Sequence, residues 1–140
     1  MAISNARTPA LALLACAALG ASLAVAYPAA ADPASEGLFV ANCSACHQRD
    51  GRGIPQAFPA LVGSRVVQGE PGDLVALLLK GRGGMPAFRT QLDDAQIAAV
   101  ASYVRGAWGN AAGPVPPLLV AEARTGTDAQ AAPPDRLQAH

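Results

Sequence analysis

Cys43 and Cys46 stand three residues apart and His47 follows directly. This pair constrains the chain more than any other feature, because the segment around it is too small to fold on its own core. Helical periodicity is confined to about residues 34–110, roughly 77 residues with a 4% aromatic content across the chain. A 140-residue sequence allows one domain, or one small domain with appendages. A domain this small normally needs a disulfide, a metal or a cofactor as a staple. A bridge between residues three apart closes too short a loop to serve as one. The pair must therefore hold something other than the other thiol.

Half of the hydrophobic residues, which make up 51% of the chain, lie outside that segment. Arg7 is the last charge before Asp32, and Leu11 to Ala26 is an apolar run of small residues ahead of Ala29-Ala30-Ala31. A basic start, a short apolar stretch and an Ala-x-Ala site form a secretory signal peptide. Cleavage is expected after Ala31, with Ala26 as the alternative. An uncleaved anchor is the rival, but an Ala-rich run broken by Gly20 and Ser22 is marginal for about 30 Å of hydrocarbon. Residues 1–31 are thus read as a signal peptide, 32–110 as the domain and 111–140 as a Pro/Ala-rich flexible tail. The ten basic residues balance ten acidic ones in the whole chain, and losing Arg7 with the leader leaves a net charge of −1. That excludes a nucleic-acid binder, which needs a basic patch. Export also places the two remaining cysteines in an oxidising compartment.

Within the domain, Ser35 to His47 reads as a short helix with Ser35 as its N-cap and Leu38 and Phe39 on its apolar side. Gln48 to Gly69 is a Gly/Pro-punctuated loop that must wrap something. Glu70 to Lys80 is a second helix, with Asp73 and Lys80 at the ends the macrodipole favours. Gly81 to Phe88 is a glycine-rich loop. Leu92 to Arg105 is the strongest helix: Asp93 caps it, Gln96 sits three residues on, and Ile97, Val100, Ala101 and Val104 make one stripe. Capping accounts for Asp93 and Asp94 without acid–base chemistry. No strand pattern or internal repeat stands out.

C-x-x-C-H is the attachment sequence of c-type haem. Two thiols on one helical turn can reach the two porphyrin vinyl groups, and the adjacent imidazole then lies under the iron. A thioredoxin-like C-x-x-C needs a βαβ setting. A zinc site needs four N/S ligands, and outside the leader only Cys43, Cys46, His47 and the terminal His140 are available. For the sixth iron position a thioether favours Fe(II). After the initiator, Met85 is the one methionine, and it sits in Gly83-Gly84-Met85-Pro86. That glycine loop lets backbone approach a macrocycle closely, unlike the apolar helix face on which a methionine merely fills space.

From Ser35 to about Asn110 the order of features resembles class I c-type cytochromes with His/Met ligation: aromatic helix, C-x-x-C-H, Phe58-Pro-Ala-Leu61 loop, middle helix, Met-Pro loop and a final helix with a tyrosine. The resemblance implies an all-α small cytochrome c fold, three to four short helices around one covalent haem. It implies that the Pro59 carbonyl accepts the Nδ1 proton of His47, and that Phe39 and Gly37 cross the last helix near Ala101 and Tyr103, with Tyr103 among the residues about the haem. Trp108 is read as packing over the end of that helix. Among Arg65, Arg82 and Arg89, Arg65 in the wrapping loop is the expected partner of a haem propionate. Ile97 to Arg105 with Trp108-Gly-Asn110 is similar to cytochrome c subunits and domains of bacterial membrane-associated dehydrogenases.

These readings imply no catalytic residue. They imply an exported electron carrier in the periplasm that takes electrons from a dehydrogenase and passes them to an oxidase or another cytochrome of a respiratory chain. Membrane association would come through a partner or an uncleaved N-terminal segment, anchoring the domain at the periplasmic face. The alternative is a haem enzyme or gas or redox sensor with a dissociable Met85.

Overall fold

A computed structural model describes residues 32–131, with side chains to 126. The expected signal peptide and residues 132–140, including His140, lie outside the described residues. Among the described residues six helices follow one another: α1 (Pro33–Asn42), α2 (Ser44–His47), α3 (Arg65–Gln68), α4 (Pro71–Lys80), α5 (Asp94–Gly106) and α6 (Pro117–Ala131). Among the described residues there is no β-strand, only two isolated bridges, Ile54 with Phe58 and Arg82 with Met85. The fold is the expected small all-α one. No helix among the described residues is long and apolar enough to cross a membrane.

Local chemistry sets most helix ends. Asp93 Oδ1 accepts from Gln96 N at 2.8 Å while Gln96 Oε1 accepts from Asp93 N at 3.0 Å. This reciprocal cap is the one the spacing predicted. α4 opens on Pro71, whose missing N–H costs nothing in the first turn, and stops at Gly81, where φ is +68°. Leu74, Val75, Leu78 and Leu79 form its buried stripe. α1 differs from expectation at both ends. Asp32, not Ser35, is its N-cap, accepting from Ala34 N at 3.3 Å, and the helix breaks at Cys43 (φ −125°) before α2 resumes.

α5 is the central helix: α1, α4 and α6 all pack on it. Phe39 meets Tyr103 at 5.4 Å between ring centroids and Trp108 at 5.0 Å. Trp108 and Tyr103 meet edge-on at 5.5 Å, closing an aromatic wedge where α1 crosses the C-terminal half of α5. Gly37 does not make the crossing; it is exposed, with nothing near it. Ser35 and Phe39, one turn apart, are the buried face of α1.

The largest correction concerns the tail. The stretch from 111 was expected to be unstructured, yet Pro117–Ala131 is helical and α6 packs on α4 and α5. Val115 and Val120 are fully buried, and Leu119 and Ala123 pack against the core. The prolines misled because Pro114 and Pro116 precede the helix and Pro117 occupies its first position, where proline is favoured. Beyond it, Leu118 to Arg124 contains only good or neutral helix formers. A second, smaller difference is α3, a single turn inside the long loop that buries Val67.

Candidate functional site

The site is a cavity of about 250 Å³ between α2, the 48–64 loop, α3, α4, the 81–93 loop and α5. Cys43, Cys46 and His47 line it from the α1–α2 break, Phe58, Pro59 and Leu61 from the wrapping loop, and Met85 and Pro86 from the glycine loop. Val67, Leu74, Leu78, Phe88, Val100 and Val104, all buried, form its apolar back wall.

His47 reaches the cavity from the last position of α2, and its Nδ1 lies 2.9 Å from Pro59 O. A carbonyl only accepts, so Nδ1 carries the proton and Nε2 keeps a free lone pair. The loop that presents Pro59 is folded tightly. Gly51 O accepts from Leu61 N at 2.7 Å and from Val62 N at 3.2 Å, and His47 O accepts from Gly53 N at 2.9 Å. Gly53 has φ +65°, and a Cβ there would stand 2.4 Å from Phe58 O and 2.6 Å from Pro59 O. Only glycine lets the chain fold this closely beneath the carbonyl that His47 uses.

Met85 is held by a closed turn, Arg82 N to Met85 O at 3.2 Å and Met85 N to Arg82 O at 3.0 Å. Gly81 permits it: a Cβ there would stand 2.5 Å from Met85 O. The loop then returns to α4 through Phe88 N, which donates to Leu78 O at 2.9 Å.

Cys43 and Cys46 are both free and half-buried. Burial first, and the neighbouring Cys46 second, push the Cys43 thiol up to about 11. It is the opposite of an activated nucleophile, whose thiol is lowered toward neutral pH. Among the described residues no three His, Cys, Asp or Glu gather as they would around a free metal ion. Tyr103 titrates above its usual range, through burial and then the Glu36 charge.

The expected site residues divide. Cys43, Cys46, His47, Pro59 and Met85 meet at one cavity. Tyr103 sits in the aromatic wedge and is not among the residues lining the cavity. Arg65 is exposed at the start of α3 and is not among the lining residues, although Ser64 and Val66 beside it are; Arg82, also exposed, is the arginine that lines the cavity. The position of Arg65 in the chain could not show which way the helical turn of α3 would face it.

Three residues were missed as supports. Asn110 accepts from Gly63 N at 2.9 Å and donates to Leu61 O at 3.1 Å and Val104 O at 2.8 Å, tying the wrapping loop to α5. Arg105 is buried and donates to Gly113 O at 2.7 Å and to Val67 O and Gly69 O, both at 2.8 Å. One signal for it was present: it lies four residues after Ala101, on the apolar stripe. Trp108 covers Gly51 and donates from Nε1 to Arg49 O at 3.0 Å, so it packs on the wrapping loop as well as on the helix end.

Comparison with known proteins gives a consistent family. Residues 30–104 match the family described as cytochrome c oxidase, cbb3-type, subunit III. The chain is 40% identical over 77 residues to cytochrome c6 of Leptolyngbya boryana, covering 53% of this chain and 91% of that protein. It is 39% identical over 87 residues to cytochrome c-552 of Thermus thermophilus, covering 51% of this chain and 66% of that protein. It is 35% identical over 86 residues to the alcohol dehydrogenase (quinone) cytochrome c subunit of Gluconacetobacter polyoxogenes, covering 53% of this chain. The chain spans only 18% of the length of that subunit.

The residues fit the cofactor such a family implies. Two thiols and an imidazole with a free Nε2 stand on one helical turn, a thioether lines the same cavity, and the remaining wall is apolar, as a porphyrin face requires.

Proposed function

Because this chain belongs to the class I c-type cytochromes, monohaem electron carriers with covalently bound haem c, we propose that its cavity residues divide the work of holding one haem. Cys43 and Cys46 form the two thioether links. His47 would hold the iron through Nε2, and Met85 would hold it through its sulfur. When bound, the haem provides a one-electron Fe(III)/Fe(II) couple.

The chain's own residues set the conditions for that couple. The Nδ1–H of His47 donates to Pro59 O, which fixes the ring and makes the imidazole a stronger donor. The Met85 thioether favours the reduced state and raises the potential. Val67, Leu74, Leu78, Val100 and Val104 exclude water from the apolar face. Arg82, an exposed lining residue of the cavity, is the arginine we assign to a propionate in place of Arg65.

The carrier works outside the cytoplasm, in the periplasm or at the periplasmic face of the membrane. It takes electrons from a dehydrogenase and hands them to a downstream respiratory acceptor, an oxidase or another cytochrome. Support comes from the leader-like residues 1–31 and from relatives named as cytochrome c subunits of alcohol, gluconate and fructose dehydrogenases. Near-neutral charge favours docking through a small, partly apolar patch over strong electrostatic steering.

The observation that carries the ligand assignment is the gathering of His47, its Pro59 acceptor and Met85 at one cavity. Potentiometric titration of Met85→Ala tests it, with a substantially lower potential and new carbon monoxide binding on reduction expected. An unchanged potential would remove Met85 from the iron. Purification from native membranes tests the partner: a dehydrogenase or oxidase in the same fraction is expected, and a cytochrome found only with unrelated proteins contradicts the pairing.

A further inference from the structure

α6 does more than cover the core, because one of its side chains reaches across to the segment leaving the Met85 loop. Arg124 Nε donates to Asp94 Oδ1 at 2.7 Å, its Nη2 donates to Leu92 O at 3.1 Å, and its Nη1 donates to Arg89 O. Three acceptors between residues 89 and 94 thus converge on one guanidinium. The ion pair with Asp94 is partly buried, with side-chain exposures of 22% and 36%. A planar guanidinium with several fixed donors can bind carbonyls and a carboxylate together, and a lysine cannot reproduce this.

The bonded segment is the C-terminal root of the 81–93 loop. At its N-terminal root, Gly81 N donates to Leu77 O at 2.8 Å, and midway Phe88 N donates to Leu78 O. Between Phe88 and the Asp93 cap, Gln91 N and Leu92 N turn back on Phe88 O, and the carbonyls of Arg89 and Leu92 accept from Arg124. The clamp comes from residues beyond 104, where the family match ends.

We infer that Arg124 is a positioning residue that holds the Met85 loop closed over the cavity from outside the cytochrome core. The inference rests on the proposal that Met85 occupies the sixth position. Its consequence is a population of loop states: with the clamp, the open form is rare; without it, the open form rises.

Imidazole, added to the oxidised, haem-loaded full chain, reads that population, since an external ligand binds only where Met85 has left and its apparent Kd scales inversely with the open fraction. Arg124→Gln is expected to lower the apparent Kd about tenfold, the size of one lost charge-assisted hydrogen bond. Asp94→Asn reaches the same contact from α5 and should move it in the same direction. Arg124→Lys should recover only part. Hydrogen exchange of the 82–92 amides in the same protein should quicken in Arg124→Gln, which gives a readout independent of the iron. Ile97→Val serves as control: it lowers thermal stability through the core, so its imidazole affinity should stay at the wild-type value.

Wild-type affinity and wild-type exchange in both Arg124→Gln and Asp94→Asn overturn the inference. So does an equal gain in affinity from Ile97→Val, which would make the effect one of general stability. If Met85→Ala leaves imidazole affinity unchanged, the ligand assignment itself fails and the inference falls with it. Tighter binding in Met85→Ala alone, with Arg124→Gln unmoved, leaves the assignment standing and removes only the clamp.

Discussion

Replacing Asn110 with alanine is the sharpest test of how this small fold holds its wrapping loop. Asn110 is 5% exposed, and its side chain makes three hydrogen bonds to backbone groups of two different segments. Alanine strands Gly63 N and Val104 O and takes from Leu61 O one of its two donors, leaving it Ser64 N at 3.2 Å. The Val104 carbonyl is buried, so its loss carries about 1–2 kcal/mol of desolvation cost. The two loop groups are partly buried and water can reach them in part, so each costs roughly 0.5–1 kcal/mol. The sum, about 2–4 kcal/mol, corresponds to a fall in Tm of roughly 10–25 °C for a domain of this size.

Denaturant unfolding of the oxidised protein, followed by Soret absorbance and far-UV circular dichroism, measures the change. The midpoint should fall with m unaltered, since the surface exposed on unfolding is the same. Asn110→Asp supplies the discriminating comparison. A carboxylate still accepts from Gly63 N but faces the Leu61 and Val104 carbonyls with no proton to give. Aspartate should therefore be worse than alanine. A loss below about 0.5 kcal/mol in Asn110→Ala, of the size of an ordinary surface change, would refute the claim that this side chain ties the loop to α5. An aspartate variant as stable as wild type would do so too.

Gly53→Ala forces a Cβ against Phe58 O and Pro59 O at a φ of +65°; thermal melting should show a clear loss, and voltammetry a raised potential as His47 loses the acceptor that strengthens it. Arg105→Leu leaves the carbonyls of Val67, Gly69 and Gly113 without donors and should cost about 2–3 kcal/mol in denaturant unfolding; a neutral result would show that water replaces the guanidinium. Cys43→Ser and Cys46→Ser should each weaken covalent haem retention on denaturing gels stained for haem, and full retention in both variants contradicts thioether attachment. In the haem-loaded protein Cys43 should not react with iodoacetamide at any pH. A free Cys43 thiol, pushed up to about 11, is neutral below that value and becomes reactive only as pH rises toward it, so alkylation at Cys43 appearing there would show the linkage absent.

What the sequence made legible and what it hid differ in physical kind. The Asp93–Gln96 cap, the α5 stripe and the Cys43–His47 turn depend on neighbours within one or two helical turns, so spacing alone displays them. The Phe39–Tyr103 crossing came from resemblance, but the choice of Gly37 failed because the buried face of α1 runs through Ser35 and Phe39. Where Arg65 faces was hidden for a similar reason: α3 is one turn long, and no periodicity can be read from four residues. Asn110, Arg105 and Arg124 act over separations of 30 residues and more at their far ends, on backbone atoms that carry no sequence signature. The tail was misread because its prolines were weighed by number and not by position; all of those before residue 118 stop at the first position of α6.

These long-range supports share a design that explains how so little core suffices. The aromatic residues Phe39, Tyr103 and Trp108 are spent on the α1–α5 crossing, which leaves Phe58 and Phe88 as the rings at the cavity. Val67, Leu74, Leu78, Val100 and Val104 are buried yet also line the cavity, so the core ends at the wall where the haem begins. A ligand that binds only the folded chain adds its binding free energy to stability, and covalent attachment keeps that contribution from being lost to dilution. The loops around such a ligand cannot be held by apolar packing on their outer sides. They are held instead by single polar side chains with several bonds each: Asn110 for the wrapping loop, Arg105 for the C-terminal end of α3, Arg124 for the root of the Met85 loop. Each reaches from the C-terminal third of the chain back to a loop on the cavity, so the last helices serve as the frame to which the haem-facing loops are fastened.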